Sequence, residues 1–229
     1  MRNVASKDVT GDLVLTCDTV VTKSRIAGRV IANGHALTAA DTTIGPDACP
    51  KTGNANQLVT GGDFTLTRVH LQHSGSDLVR FTGGGQQRIV DSLLDGACIY
   101  PGDHLDVAQL YDPGAKLDAS IVHSTLDARA TNSTDSTDKG NAAIFLADNP
   151  GAGTFTITGN RLAGGNYATA LYDATKGSGV TYRVTDNTYV RGSWQFGPCA
   201  STDSLQSNGA EGPVFTSNRY DDGVPLLTC

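Results

Sequence analysis

Glutamate is nearly absent from this 229-residue chain: of 23 acidic residues only Glu211 is Glu, and the other 22 are Asp. Lysine occurs 6 times, methionine only at Met1 and tryptophan only at Trp194. Glu, Lys and Met are strong helix formers, so their scarcity excludes a helical bundle and disfavours a doubly wound α/β fold. Long hydrophobic runs are missing too. The longest, Ala142 to Ala147, falls far short of a membrane span, so membrane insertion is not expected. The opening Met1-Arg-Asn-Val-Ala-Ser-Lys7 holds no apolar stretch of the kind a secretory signal needs. Basic residues number 17 against 23 acidic ones, for a net charge of -6, which leaves no electrostatic footprint for nucleic acid. The five cysteines, Cys17, Cys49, Cys98, Cys199 and Cys229, contain no Cys-x-x-Cys pair, which argues against a zinc site.

What the chain has is glycine and threonine, 27 of each, and 38% hydrophobic residues, enough for the core of one domain spanning residues 1–229. A motif recurs along it: an apolar residue, a Ser, Thr or Asn three positions later, and an apolar residue two further on. It reads Val21-Thr-Lys-Ser24-Arg-Ile26, Ala39-Ala-Asp-Thr42-Thr-Ile44, Ile89-Val-Asp-Ser92-Leu-Leu94 and Ile121-Val-His-Ser124-Thr-Leu126. It continues as Ile157-Thr-Gly-Asn160-Arg-Leu162, Val184-Thr-Asp-Asn187-Thr-Tyr189 and Phe215-Thr-Ser-Asn218-Arg-Tyr220, while Leu66-Thr-Arg-Val69-His-Leu71 carries Val at the polar position. Successive polar positions lie 18, 27, 23, 32, 36, 27 and 31 residues apart. A constant strand motif at a variable period describes a solenoid whose loops differ in length from coil to coil. The recurring Ser or Asn is expected at a bend between two strands, bonded to the coils above and below it.

A second class of strand lies between the motif copies: Asp77–Phe81, Asp106–Leu110, Ala142–Leu146 and Ser193–Phe196. More than one strand per repeat is what a parallel β-helix needs, and a sandwich or propeller does not account for the uneven spacing. The expected fold is all-β, a right-handed parallel β-helix of about seven to eight coils and roughly 40 Å in length. Two disulfides and one leftover thiol are expected, with Cys17–Cys49 and Cys199–Cys229 stapling the two ends.

The segments Asp12–Cys17, Val20–Gly28, Tyr182–Gly192 and Val214–Pro225 make the chain resemble the right-handed parallel β-helix repeat proteins of actinobacteria and their phages, in the wider pectate-lyase-like superfamily. The resemblance covers nearly the whole chain and is carried by coil-forming residues. It implies an extracellular protein, secreted or virion-associated, directed at polysaccharide. The Gly-Asn-Asp, Asp-Asp-Gly and Arg-Ile-Lys set of polygalacturonases is incomplete here, since Asp221-Asp-Gly223 stands alone, and the Arg-x-Pro-x-x-Arg element of pectate lyases is missing.

Chemistry is expected at Gly102-Asp-His-Leu-Asp-Val-Ala-Gln109, which looks like the His-x-Asp-x-x-Gln signature of such helices, carried by His104, Asp106 and Gln109. The preceding coil supplies Asp77-x-x-Arg80 at the same internal spacing, and both offsets are 29 residues, so Asp77 should stack on Asp106 and Arg80 on Gln109. In the next coil Phe145 takes the place of Gln109. Two carboxylates one coil apart should not both ionise freely, a property suited to acid/base work on a glycosidic bond. Asp77, Arg80, His104 and Asp106 are thus the catalytic candidates of a polysaccharide lyase or glycoside hydrolase, with Gln109 and Phe145 as substrate contacts. No metal ligand set and no organic cofactor are expected, although a bound calcium would serve a lyase by neutralising a uronate. Each of these residues also has a structural reading, as a cap on turn backbone. His70 and His73, Asp91 with His123, and the polar loop Ala130–Gly140 are weaker features, and the Asp–His stripe reads as a solvated face. Two other functions fit the same sequence: a non-catalytic carbohydrate-binding module, and a structural tail or surface protein, monomeric or homotrimeric.

Overall fold

The computed structural model describes residues 1–51, 57–83, 85–111, 117–132, 140–146, 152–171, 179–201 and 214–229. All regular structure among them is strand, in three wholly parallel sheets of nine, nine and eight strands. The chain visits the sheets in turn, so that Arg2–Ala5, Asp8–Val9 and Leu13–Val14 form the first rung of a β-helix. The second begins at Thr19–Thr22, and the ninth consists of Val214–Thr216 and Arg219–Tyr220. The expected solenoid is present, with nine rungs. The extra rung escapes the motif because its bend carries Lys7 where later bends carry Ser, Thr or Asn, or Val at position 69.

The connection from first to second sheet is always two residues long, as at 23–24, 91–92 and 217–218, whereas the other two connections vary widely. All the irregularity of the repeat is therefore carried at two of the three corners. At the constant corner the first residue is left-handed in every rung, with φ between 49° and 58° at Ser6, Lys23, Asp41, Arg68, Asp91, His123, Asp186 and Ser217, and 67° at Gly159. That conformation reverses the chain in one step but is strained for residues with a Cβ. At Gly159 a Cβ would lie 2.5 Å from the exposed His123 ring of the preceding rung, which would have to move aside for any larger residue.

The second corner residue offsets the strain by closing a ladder. Its side-chain oxygen accepts the backbone N–H of its counterpart one rung earlier: Ser24 from Lys7 (3.1 Å), Ser92 from Val69 (3.0 Å), Ser124 from Ser92 (3.1 Å) and Asn160 from Ser124 (2.8 Å). Asn187 accepts from Asn160 and Asn218 from Asn187, at 2.9 and 3.0 Å. The asparagines also donate, Asn187 Nδ2 to Ile157 O and to Asn218 Oδ1. All of these polar side chains are buried. Val69 breaks the ladder, for it has no oxygen to receive the N–H of Thr42.

Inside, the register stacks like on like: Val21, Ala39, Leu66, Ile89, Ile121, Ile157 and Val184 form one column, every member fully buried. Phe64, Phe81 and Phe155 meet with centroids 5.3 and 4.8 Å apart. At the far end Leu226 N–H bonds Asn218 O, and a Cys199–Cys229 disulfide ties the tail down, as expected. The expected Cys17–Cys49 bridge is not formed. Cys49 pairs with Cys98 (Cα–Cα 5.6 Å), and Cys17 is a free thiol. In a solenoid, residues at the same corner meet however distant in sequence; Cys49 and Cys98 share the second-to-third-sheet corner, while Cys17 precedes a first-sheet strand.

Two substitutions test the ladder. Val69→Thr, isosteric and able to accept from Thr42, is expected to raise unfolding stability by about 1 kcal/mol. Asn187→Ala strips four hydrogen bonds from a buried corner and is expected to cost about 3 kcal/mol. Urea titration monitored by circular dichroism measures both.

Candidate functional site

The third sheet is entered through loops of unequal length, and at the fourth and fifth rungs these loops part to leave an open groove of about 620 Å³. Its floor begins with the strands Val79–Phe81 and Asp106–Leu110, whose register places Arg80 beside Gln109. One wall is a tight turn in which Asp103 N–H bonds Tyr100 O and Tyr100 N–H bonds Asp103 Oδ2, with Gly102 left-handed. The other is Gly75–Asp77, shaped by the Ser74 hydroxyl, which accepts from Ser76 N–H at 3.2 Å.

The expected stacking of Asp77 with Asp106 is present, and its chemistry is that of a backbone cap. Asp106 N–H donates to Asp77 Oδ1 at 3.0 Å, and Asp106 Oδ1 in turn receives Asn141 Nδ2 at 3.0 Å. The carboxylate of Asp106 also accepts a backbone hydrogen bond from Ala142, its partner in the next rung. Asp77 Oδ2 holds the Arg80 guanidinium at 2.6 Å, and that guanidinium lies over the Tyr111 ring, 4.8 Å from its centroid.

Burial sets the electrostatics. Asp77 and Asp106 are 3% and 1% exposed. Desolvation pushes the Asp106 carboxyl well above the usual carboxylate range, and the neighbouring Asp77 charge pushes it further. Desolvation raises Asp77 too, opposed by the Asp106 N–H and by Arg80. With one cation between two buried acids, the pair favours a single negative charge, held on Asp77 beside Arg80.

The candidates divide by position. Asp77, Arg80, His104 and Gln109 line the groove, His104 at its exposed rim. Asp106 does not: its side chain lies beneath the floor, because it caps the next rung. Phe145 stands in register with Gln109 one rung on, outside the groove lining. Arg80 Nε and Gln109 Oε1 are shielded from solvent without a hydrogen-bond partner. Tyr100, Asp103 and Tyr111 belong to the site but were not candidates from sequence. They come from aperiodic loops and a strand end, and the nearest signal was the Gly-Asp turn at 102–103.

The weaker features resolve separately. His70 bonds Asp95 at 2.6 Å and His73 bonds Pro46 O at 3.0 Å, so the two histidines face different partners. Asp91 and His123 form the exposed stripe expected of them, 3.8 Å apart. Among the described residues no group of three or more His, Cys, Asp or Glu side chains converges as metal ligands. Of the polar loop, residues 133–139 lie outside the described residues.

The raised Asp106 pKa has a defined sign. The folded state binds the proton more tightly than the unfolded chain, so its contribution to stability is present below about pH 4 and lost as pH rises through the folded pKa. Asp106→Asn keeps an acceptor for Ala142 N–H and removes the ionising group. It is expected to raise the urea midpoint at pH 8, with the gain shrinking towards pH 4, whereas Asp106→Ala should lower it at both.

Comparison with known proteins adds no relative: no family model, no curated protein and no solved structure matches the chain.

Proposed function

We propose that this chain is a polysaccharide-binding β-helix of the pectate-lyase-like kind, and that the groove at the mouth of the third sheet receives the glycan. One observation carries the reading: at the fourth and fifth rungs the loops entering the third sheet part into an open polar groove that brings Arg80, Gln109, Tyr100 and His104 together. Sugar chains are recognised by such mixed surfaces, with hydrogen-bonding groups for hydroxyls and aromatic edges for ring faces. Two disulfides suit an oxidising, extracellular setting, whether the protein is secreted or carried on a virion.

A catalytic reading has one observation in its favour. Asp77 lines the groove with a carboxyl raised by burial, and the exposed His104 shares that groove. In a lyase or hydrolase one would supply and the other remove a proton at the glycosidic bond. Against this, Asp106 is withdrawn from the groove, and Asp77 is committed to Arg80 and to the Asp106 N–H. Binding without turnover is therefore the preferred reading.

A polysaccharide panel in affinity electrophoresis tests it. Wild type is expected to be retarded by at least one polysaccharide, and Gln109→Ala to weaken that binding about tenfold while leaving the fold intact. Retardation by none of the panel would overturn the proposal. Release of reducing ends or of unsaturated uronate, abolished in His104→Ala, would replace the binding reading with the catalytic one.

A further inference from the structure

Two to three rungs beyond the groove, along the same corner, two aromatic rings stand together outside the core. Phe196 is 64% exposed, the most exposed aromatic side chain among the described residues, and Tyr167 is half-buried beside it. Their centroids are 5.7 Å apart at an interplanar angle of 47°. The backbone beneath is fixed, since Gln195 N–H bonds Gly165 O and Phe196 N–H bonds Asn166 O, at 3.0 and 2.9 Å. Gly197 stands in register with Tyr167 and has no side chain to cover its ring. Exposure of a large ring on an anchored strand end is therefore built in. Loop fraying does not account for it.

The register ties this pair to the groove. Asp106 pairs with Ala142, Ala142 with Tyr167, and Tyr167 with Gly197. The aromatic pair thus lies two to three rungs from the groove floor, Tyr167 at about 10 Å and Phe196 at about 14 Å, which is roughly two to three residues of an extended pyranose chain. Between them lie the half-buried Asn141 and Asn166, whose amides meet at 3.5 Å and which add hydrogen-bonding groups along the path.

We propose that Phe196 and Tyr167 form a second glycan subsite, a stacking platform for one pyranose ring of the chain that occupies the groove. The platform rests on the groove reading and extends it. It assigns the ligand as a polymer long enough to span both places, with a sugar whose axial hydrogens leave one face apolar. Sugar rings stack on such faces through apolar area and CH contacts, and Phe suits this because it has no polar atom to desolvate.

Isothermal titration of cello-, chito-, xylo- and galacturono-oligosaccharides, from disaccharide to octasaccharide, tests the platform apart from the groove. For a series that binds, wild-type affinity should climb with length until the oligomer spans both subsites. Phe196→Ala should lose about tenfold on the long oligomers and leave the short ones unchanged, and Phe196→Trp should restore the gain. Phe196 is exposed, so the truncation leaves the core intact. Equal affinities of Phe196→Ala and wild type at every length would overturn the platform and leave the groove standing. Loss at every length, with Gln109→Ala silent, would keep the platform and overturn the groove as the primary site. Absence of wild-type binding to all four series would overturn both.

Discussion

The structure depends on one hydrogen bond repeated from rung to rung: a short polar side chain accepts the backbone N–H of its counterpart one rung before. A two-residue corner leaves a buried N–H with no strand partner and places a left-handed residue beside it. Satisfying that N–H from the neighbouring rung resolves both difficulties and fixes the rungs in register. Because the side chain must reach one rung and no further, Ser, Thr and Asn suffice, and the corner can repeat without change in length. The other two corners are then free to vary, which is how a regular core coexists with offsets as different as 17 residues from Arg2 to Thr19 and 36 from Ala119 to Phe155.

Aspartate performs the same task elsewhere, and this explains why the chain has almost no glutamate. Asp12, Asp18, Asp63 and Asp77 accept the N–H of Arg29, Ala36, Gln86 and Asp106 in the following rung, and Asp221 reaches back to Arg191. Several of these acids, or others nearby, also meet an arginine one rung away, as in Asp12–Arg29, Asp41–Arg68 and Asp118–Arg88. The guanidinium spans the rung while the carboxylate stays close to its own backbone. A longer acid would overshoot the N–H that the shorter one caps. The composition is thus a consequence of rung spacing.

Periodic features of this molecule were legible in the sequence, and aperiodic ones were not. The corner motif located eight bends, and the shared offset of Asp77–Arg80 with Asp106–Gln109 found a true register pair, because strands in a solenoid repeat whatever the loops do. Lys7 concealed the first rung because the ladder begins there: it donates its N–H to Ser24 and has no earlier rung to cap. Cys49 met Cys98 because corner position, which depends on loop lengths, outweighs sequence proximity. The burial of Asp106 was hidden for a related reason. Alternation shows that two residues share a face but does not show which loop covers them. Tyr100, Tyr111 and the Phe196–Tyr167 pair come from loops and strand ends, where no repeat exists to reveal them.

An acid in this protein is by default a piece of scaffolding, so acidity alone marks no site. What sets Asp77 apart is the combination of a cap's geometry with a groove's position. It is buried enough for its carboxyl to be raised, yet it borders an opening where the loops have parted. Asp106 has the first property without the second, and the exposed Asp41 and Asp222 are held low by arginines. The scaffold permits this combination where its constraint lapses, at a corner that no ladder holds to a fixed length. Loop length thus determines where the solenoid can receive a ligand, and the ladder at the opposite corner keeps that variation from disturbing the core.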